Sequence, residues 1–359
     1  MNRGTFFYID LRLLVPALFL LFLGLTTLFS VNIDFFKSQL LFAGVSIVFF
    51  LFLSQLNYKA IQLYAVPIYL ISLFLLLLVL LVGIQSKGAV RWFDILGLRV
   101  QFSEIMKPFL LVSLSWFLAK RTPSFKTFSL VILFLTPVLL LVYKQPDFGN
   151  AAILGTVTLL TLIAYGVAFT WIFLGVGVLL LFLPFLWRFL HEYQQQRIVA
   201  FFDPARDPLG TSYNAMQALI AIGSGMLAGR GMSQGTQSYL RFLPERHTDF
   251  IFATLAESLG FLGSLIVFLC FAFLLHRIFV LFSNSQDRLD KIFSLSAFFL
   301  ILTQFSFNIG MNMGVLPIVG TTLPFVSYGG SSLLSNFILL GLLSSIGRAA
   351  KKEGTLEIG

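Results

Sequence analysis

Four short polar clusters interrupt an otherwise apolar sequence, and each could set charge beside an anion. Lys87-Gly88-Ala89-Val90-Arg91-Trp92-Phe93-Asp94 places two cations around a glycine and ahead of a Trp. A belt of interfacial aromatics with cations snorkelling to water explains it as well as an anion site does. In Ser103-Glu104-Ile105-Met106-Lys107-Pro108 the carboxylate and the ammonium are three residues apart, on one face of a helix. Either they pair with each other, or Lys107 faces a cavity and meets a phosphate. Lys144-Gln145-Pro146-Asp147-Phe148-Gly149-Asn150 packs a cation, an amide and a carboxylate into a turn, where Asp147 is suited to capping the next helix. Finally, Phe242-Leu243-Pro244-Glu245-Arg246-His247-Thr248-Asp249-Phe250 brings two carboxylates and two potential cations up to an apolar run, with Glu257 eight residues beyond Asp249. Thr248 or Asp249 would also serve there as an N-cap.

Cations outnumber carboxylates in this set, and the sequence has no GxSxG elbow, HExxH or P-loop. Hydrolase, metalloprotease and ATPase chemistry thereby lose their usual support. A triad of Ser331, His247 and Asp249 has nothing to order it. The single Cys270 cannot form an internal disulfide, and three His without close Cys or His neighbours make no zinc constellation. Catalysis on an anionic, lipid-linked substrate, or its transport, is what remains.

The elements that must position these groups are membrane helices. Of 359 residues 58% are hydrophobic and 11% charged, with 43 Phe, which excludes a water-soluble globular domain. The net charge of +9 lies in short clusters between apolar runs, so it suits lipid headgroups or phosphorylated lipids rather than nucleic acid. A crossing takes about 20 apolar residues. Uncharged stretches fall at 13–33, 38–58, 60–86, 108–119 (extended backwards by Ile105 and Met106), 127–143, 148–187, 258–275 (extended backwards to Phe250) and 292–347. The run 148–187 is expected to break at Tyr165-Gly166 and 292–347 across the Gly/Pro-rich 314–330, which makes ten spans in an all-α, polytopic fold. The first run lacks a small-residue cleavage site and reads as an uncleaved helix. No repeat, linker or soluble appendage is visible, so residues 1–359 read as one membrane domain with a long loop at 188–249. Within that loop 211–229 is uncharged, but its apolar core, Ala215 to Ile222, is too short to span and is expected to lie in the interface.

Lys and Arg in the short loops place both termini in the cytoplasm. Twelve of the 24 basic residues then face inward, and six of the remainder belong to the long loop, where the charge rule loses force. Lys87, Arg91, Arg99 and Lys107 crowd one external segment against that rule, which points to an anion on that side.

In this order the motifs resemble the SEDS family of polytopic cell-wall proteins, most closely its RodA branch, over nearly the whole chain. The resemblance rests on Lys87-Gly88-Ala89 with Arg91-Trp92, Ser103-Glu104 with Lys107, and Gln145-Pro146-Asp147 with Gly149. It continues through Tyr213-Asn214 with Gln217, Ile220 to Gly225, Gly235-Thr236-Gln237, Phe242 to Phe252 and Ala256-Glu257. It ends with Asn308, Gly310-Met311, Leu323-Pro324-Phe325 and Ser327 to Ser332. Two positions depart from the pattern: Met226 stands where a second glycine is expected, and Ser258 where a second acid often follows Glu257.

The resemblance implies a ten-span fold in the cytoplasmic (inner) membrane and peptidoglycan glycosyltransferase activity, polymerising lipid II on the outer face during cell elongation. A class B penicillin-binding protein and the elongation machinery are the implied partners. A mechanism that suits it has Asp249 deprotonate the acceptor sugar hydroxyl as it attacks the anomeric carbon, with inversion. Arg91, Lys107, Lys144 and Arg246 are candidates to hold the diphosphate that leaves. Trp92, Glu104, Gln145, Gln217, His247, Thr248, Glu257 and Ser327 complete the expected substrate-binding set. No protein metal site is expected; a divalent cation bridging the diphosphate is compatible with these residues, and the sequence does not decide it. Two alternatives stay open, a lipid II flippase and a non-catalytic scaffold for a transpeptidase.

Overall fold

The computed structural model describes residues 8–86, 89–95, 98–190, 192–203, 210 and 212–356. Lys87 and Gly88 of the first polar cluster lie outside the described residues. In chain order the elements are α1 (Leu11–Val31), α2 (Ile33–Gln55), a short α3 (Tyr58–Gln62) and α4 (Ala65–Val82), then the strands β1 (Ile84–Ser86), β2 (Ala89–Ile95) and β3 (Leu98–Val100). After these come α5 (Phe102–Ala119), α6 (Phe125–Lys144), α7 (Phe148–Tyr165), α8 (Phe169–Trp187), α9 (Glu192–Phe202), α10 (Tyr213–Ser224) and α11 (Thr236–Tyr239), and last α12 (Ile251–Asn284), α13 (Arg288–Asn312) and α14 (Gly330–Leu356).

Among the described residues nine helices are long and apolar enough to cross a membrane, and the apolar stretch Phe169–Phe185 of α8 adds a shorter tenth. They stand at the ten places read from the sequence. The helices start where side-chain caps allow: Asp10, Asn32, Ser124, Asp147 and Asp287 each accept a backbone N–H of the first turn. The run 148–187 does break at Gly166, whose N–H closes α7 on the Ile163 carbonyl. Residues 313–329 leave the helical path between α13 and α14, as the glycines and prolines there require.

Two features were not legible as spans. The fold is not wholly α as expected, because the segment after α4 is a three-stranded antiparallel sheet in the order β1-β2-β3, with Trp92 opposite Ile84 and Asp94 opposite Arg99. Ala89 to Ile95 supplies the β-branched and aromatic residues that favour a pleated surface. The other is a sharp break inside α12 at Gly260, φ 68° and ψ −160°. A break at membrane depth frees backbone groups that must find partners. Segment 226–231 supplies them: Phe261 and Leu262 N–H donate to the Met226 and Leu227 carbonyls (2.8 and 3.1 Å), while Arg230 and Gly231 N–H donate to the Glu257 and Ser258 carbonyls (2.9 and 3.1 Å). The departure at Met226 falls on this segment, and Met226 adopts φ 47°, a left-handed conformation in which a Cβ is strained.

The core joins α1, α2, α5, α12, α13 and α14, with α14 packed most extensively on α2. At one end Arg277 grips the buried Asp10 carboxylate (Nε 3.0 Å), Asp10 N–H donates to Ser344, and Arg348 donates to the Leu56 carbonyl. The starts of α1 and the ends of α2, α12 and α14 are thereby fixed together. The opposite end carries the sheet, the 145–147 turn, α9 to α11 and the 313–329 loop.

Candidate active site

At the loop-bearing end, the backbone leading into α12 is held at four successive carbonyls. Arg246 O accepts from Thr254 Oγ1 (3.0 Å), His247 O from Tyr328 N–H (2.8 Å) and Thr248 O from Ser327 Oγ (2.7 Å). Asp249 O accepts from both Asn308 Nδ2 (3.0 Å) and Asn312 Nδ2 (2.9 Å). Asn308 also donates to the Thr321 carbonyl, and Asn312 Oδ1 accepts from Ala253 N–H. These bonds satisfy backbone groups beside a helix start and fix the direction of the Asp249 side chain.

The half-buried Asp249 carboxylate faces the 317–320 turn. Gly320 has φ 71°, and a Cβ there would stand 3.4 Å from Asp249 Oδ2 and 3.6 Å from Arg197 Nη1. The glycine thus serves both the bend and a space that a carboxylate and a guanidinium both border. Arg197 comes from α9 and donates to the Ile318 carbonyl (3.2 Å). In the sequence it is only one of six cations in a long loop, and only the folded chain brings it to the space beside Gly320 that Asp249 also borders. Asn308 and Asn312 carried a better signal, since two amides four residues apart share one face of an apolar helix.

Around this centre, His247 stacks on Phe35 with centroids 4.2 Å apart and an interplanar angle of 7°, and Tyr328 lies 4.9 Å from the same Phe35 ring. Thr248 Oγ1 lies 3.1 Å from Glu245 Oε2. Arg246 is half-buried, and its Nε has no hydrogen-bond partner. Burial, and secondarily the neighbouring Arg241 charge, lower its pKa. Arg91 on β2 has the same kind of unsatisfied, buried Nε, with its guanidinium 6.0 Å from the Trp92 ring centroid. A buried guanidinium N–H without an acceptor favours an incoming anion. Lys144 is exposed in the last turn of α6, and Gln217 is half-buried on α10.

Other residues expected to bind substrate are placed inside the protein. Lys107 is only 1% exposed and donates to Glu104 Oε2 at 2.8 Å, so of the two readings the structure shows the pair closed on itself. Gln145 is fully buried and donates to the Leu76 carbonyl (2.8 Å). Ser327 accepts from Leu323 N–H (2.8 Å) while donating to Thr248, and so joins the loop after α13 to the Asp249 segment. Glu257 is completely buried and accepts from Gln237 N–H (2.8 Å), Ser238 N–H (2.9 Å) and Ser238 Oγ (2.6 Å). A Cβ at Gly235 would lie 2.5 Å from that carboxylate, so only glycine lets the segment close over it. Asp147 is a second hub: it accepts from Gln101 Nε2 (2.6 Å), Ser103 Oγ (2.9 Å) and Asn150 Nδ2 (2.8 Å) while capping α7. Among the described residues no three His, Cys, Asp or Glu side chains converge as a metal cluster.

Comparison with known proteins follows the same outline. The cell cycle protein family of FtsW, RodA and SpoVE matches residues 5–352. The peptidoglycan glycosyltransferase MrdB of Escherichia coli strain K12 is 41% identical over 269 residues, covering 74% of this chain and 72% of its own. The stage V sporulation protein E of Bacillus subtilis strain 168 is 32% identical over 95% of this chain and 98% of its own. Among solved structures, a chain of a peptidoglycan synthase complex in which polymerization and crosslinking are coordinated superposes with a TM-score of 0.82 at 29% identity, covering 95% of this chain and 98% of that one. The rod shape determining protein RodA of Thermus thermophilus gives 0.73 at 26% identity, covering 96% and 98%.

Proposed function

The chain belongs to the FtsW, RodA and SpoVE family of cell cycle proteins, and from that premise we propose that Asp249 is its general base. The protein is a multi-pass membrane peptidoglycan glycosyltransferase. In our reading it is a single membrane domain of the cytoplasmic membrane with both termini inside. The loop-bearing end then faces outward and meets lipid II. The observation that carries the assignment of Asp249 is the fixing of carbonyls 246 to 249, because it holds the backbone that bears this carboxylate in one place at the loop-bearing end.

The reaction needs one base. The Asp249 carboxylate takes the proton of the acceptor hydroxyl, whose oxygen forms a bond to the anomeric carbon. The bond from that carbon to the diphosphate oxygen breaks on the opposite face, and undecaprenyl pyrophosphate departs with the electron pair. It needs no protonating acid if cations hold its charge. Arg246 and Arg91, each with an unsatisfied buried Nε, are the first candidates, and the exposed Lys144 is a third. The remaining positions take the supporting roles their contacts suggest: Trp92, Gln217, His247 and Thr248 line the approach, and Gln145, Glu257, Ser327 and the Glu104–Lys107 pair hold the walls. A divalent ion would take its oxygens chiefly from the diphosphate, as hard cations do at substrate phosphates.

Purified protein offered accessible lipid II in detergent tests the reading. Polymer formation excludes a pure flippase and a pure scaffold, and its absence with correctly folded protein would overturn the assignment.

A further inference from the structure

At the end of the bundle opposite Asp249, a cavity of about 660 Å³ opens between the α5–α6 turn and the start of α13. Lys120, Arg121, Lys126 and Arg288 line it together with Thr122 and Ser124, and no carboxylate is among its described lining residues. Four like charges around one space repel unless an anion joins them. Their positions are built rather than loose. The Lys120 ammonium lies 3.9 Å from the Trp116 ring centroid, and the Arg121 guanidinium lies 3.6 Å from that of Phe117 while donating to the Phe117 carbonyl (2.7 Å). Arg288 donates to Tyr165 Oη (3.1 Å), and that hydroxyl donates in turn toward the Arg121 carbonyl (2.7 Å), linking two walls. Asp287, next to Arg288, caps α13 through Leu289 N–H and lies 3.8 Å from Lys59. The first turn of α6, capped by Ser124, adds the positive end of a helix to the same space.

The flank of the cavity is apolar. Phe125, Phe169 and Phe173 are exposed along α6 and α8, and the Phe125 ring is 4.6 Å from that of Trp171. Because α6 and α8 are membrane helices, these rings place acyl chains directly beside the cavity, so an anion that carries its own acyl tail can seat its head among the cations while its tail stays in the bilayer, which a soluble phosphate or a polar peptide cannot do. From this juxtaposition we propose that the cavity binds the phosphate headgroup of an anionic phospholipid, in the leaflet opposite the glycosyltransferase site. The proposal uses the membrane-spanning fold but none of the residues assigned to catalysis.

Full-length protein in detergent is titrated with phosphatidylglycerol and, separately, with phosphatidylcholine, and bound lipid is counted by native mass spectrometry. Phosphatidylglycerol should be retained in preference and should survive addition of inorganic phosphate. The double substitution Lys120→Gln/Lys126→Gln, at two exposed side chains, should lower that retention roughly tenfold or more without lowering the melting temperature. Arg288→Gln, measured separately, should act in the same direction, whereas Lys37→Gln/Arg230→Gln at the other end should leave retention unchanged. Equal retention of the two lipids, no effect of either cavity variant, or an equal loss in the Lys37/Arg230 control would overturn the proposal. Displacement by inorganic phosphate alone would also overturn it, by assigning the cavity to a soluble anion.

Discussion

A carboxylate can act as a base, a cap or a buried anchor, and the acids near the site divide along those lines by what their oxygens touch. Asp147 and Glu257 are anchors surrounded by donors, and Asp249 sits on a backbone segment held at its own carbonyl by Asn308 and Asn312. Asp249→Asn keeps size and shape but removes the base, so insertion and melting temperature should be preserved while lipid II polymerisation falls by about 10²-fold or more. Glu257→Gln should behave differently. It turns an acceptor into a donor facing Ser238 or Gln237, at a cost of about 1–3 kcal/mol, so thermal stability should drop and turnover should suffer less than in Asp249→Asn. A dead Glu257→Gln beside an active Asp249→Asn would reverse the two roles. For Lys107 the double substitution Glu104→Gln/Lys107→Met should restore much of the activity lost by either single change, because it leaves no unpaired buried charge. If the double variant stays poor and lipid II binding is weakened, Lys107 meets diphosphate as well.

Among the elements, the broken α12 has the most consequence. Its first part carries Glu257 and follows Asp249, its second part crosses the membrane, and the break at Gly260 is stitched by segment 226–231. That stitching requires a left-handed residue at 226, where this chain has Met. Met226→Gly should therefore stabilise the protein by about 1 kcal/mol, because a non-glycine residue pays roughly that much for the conformation and the Met226 side chain is exposed and loses little packing. A lower melting temperature in that variant, or no change, would show that the strain is relieved elsewhere.

For the molecule as a whole, we propose that a partner anchored by one helix would be felt at the site through the part of α12 nearest the loop-bearing end. Just after the Gly260 break, Phe261, Leu262, Leu265 and Ile266 are exposed on α12, whereas most of α13 is buried. A transpeptidase anchored there would act on the part of α12 that joins the Asp249 segment across the Gly260 break, and it would activate only by favouring one arrangement of that segment. Co-purification with the cognate transpeptidase should raise polymerisation per molecule, and Leu265→Trp or Ile266→Trp should weaken both association and activation. Equal rates with and without bound partner would leave co-localisation alone.

The number and order of the spans were legible in the sequence because lipid imposes a length and an apolarity on every crossing, whatever its neighbours do. The cap at Asp147, the break at Gly166 and the nearness of Glu104 to Lys107 were legible for a similar reason, as local geometry decides them, whereas the cap expected from Thr248 or Asp249 is not formed and Phe250 stands at that position without a side-chain cap. The tertiary structure alone decided which charges are spoken for. The sequence left Lys107 open between Glu104 and a phosphate and put Glu257 among the substrate-binding residues. The fold shows Lys107 donating to Glu104 and Glu257 accepting from Gln237 and Ser238, while Arg197 borders the same space beside Gly320 as Asp249 only because α9 folds across residues 317–320. A side chain's partner depends on which distant segment closes over it, and spacing along one chain carries no record of that.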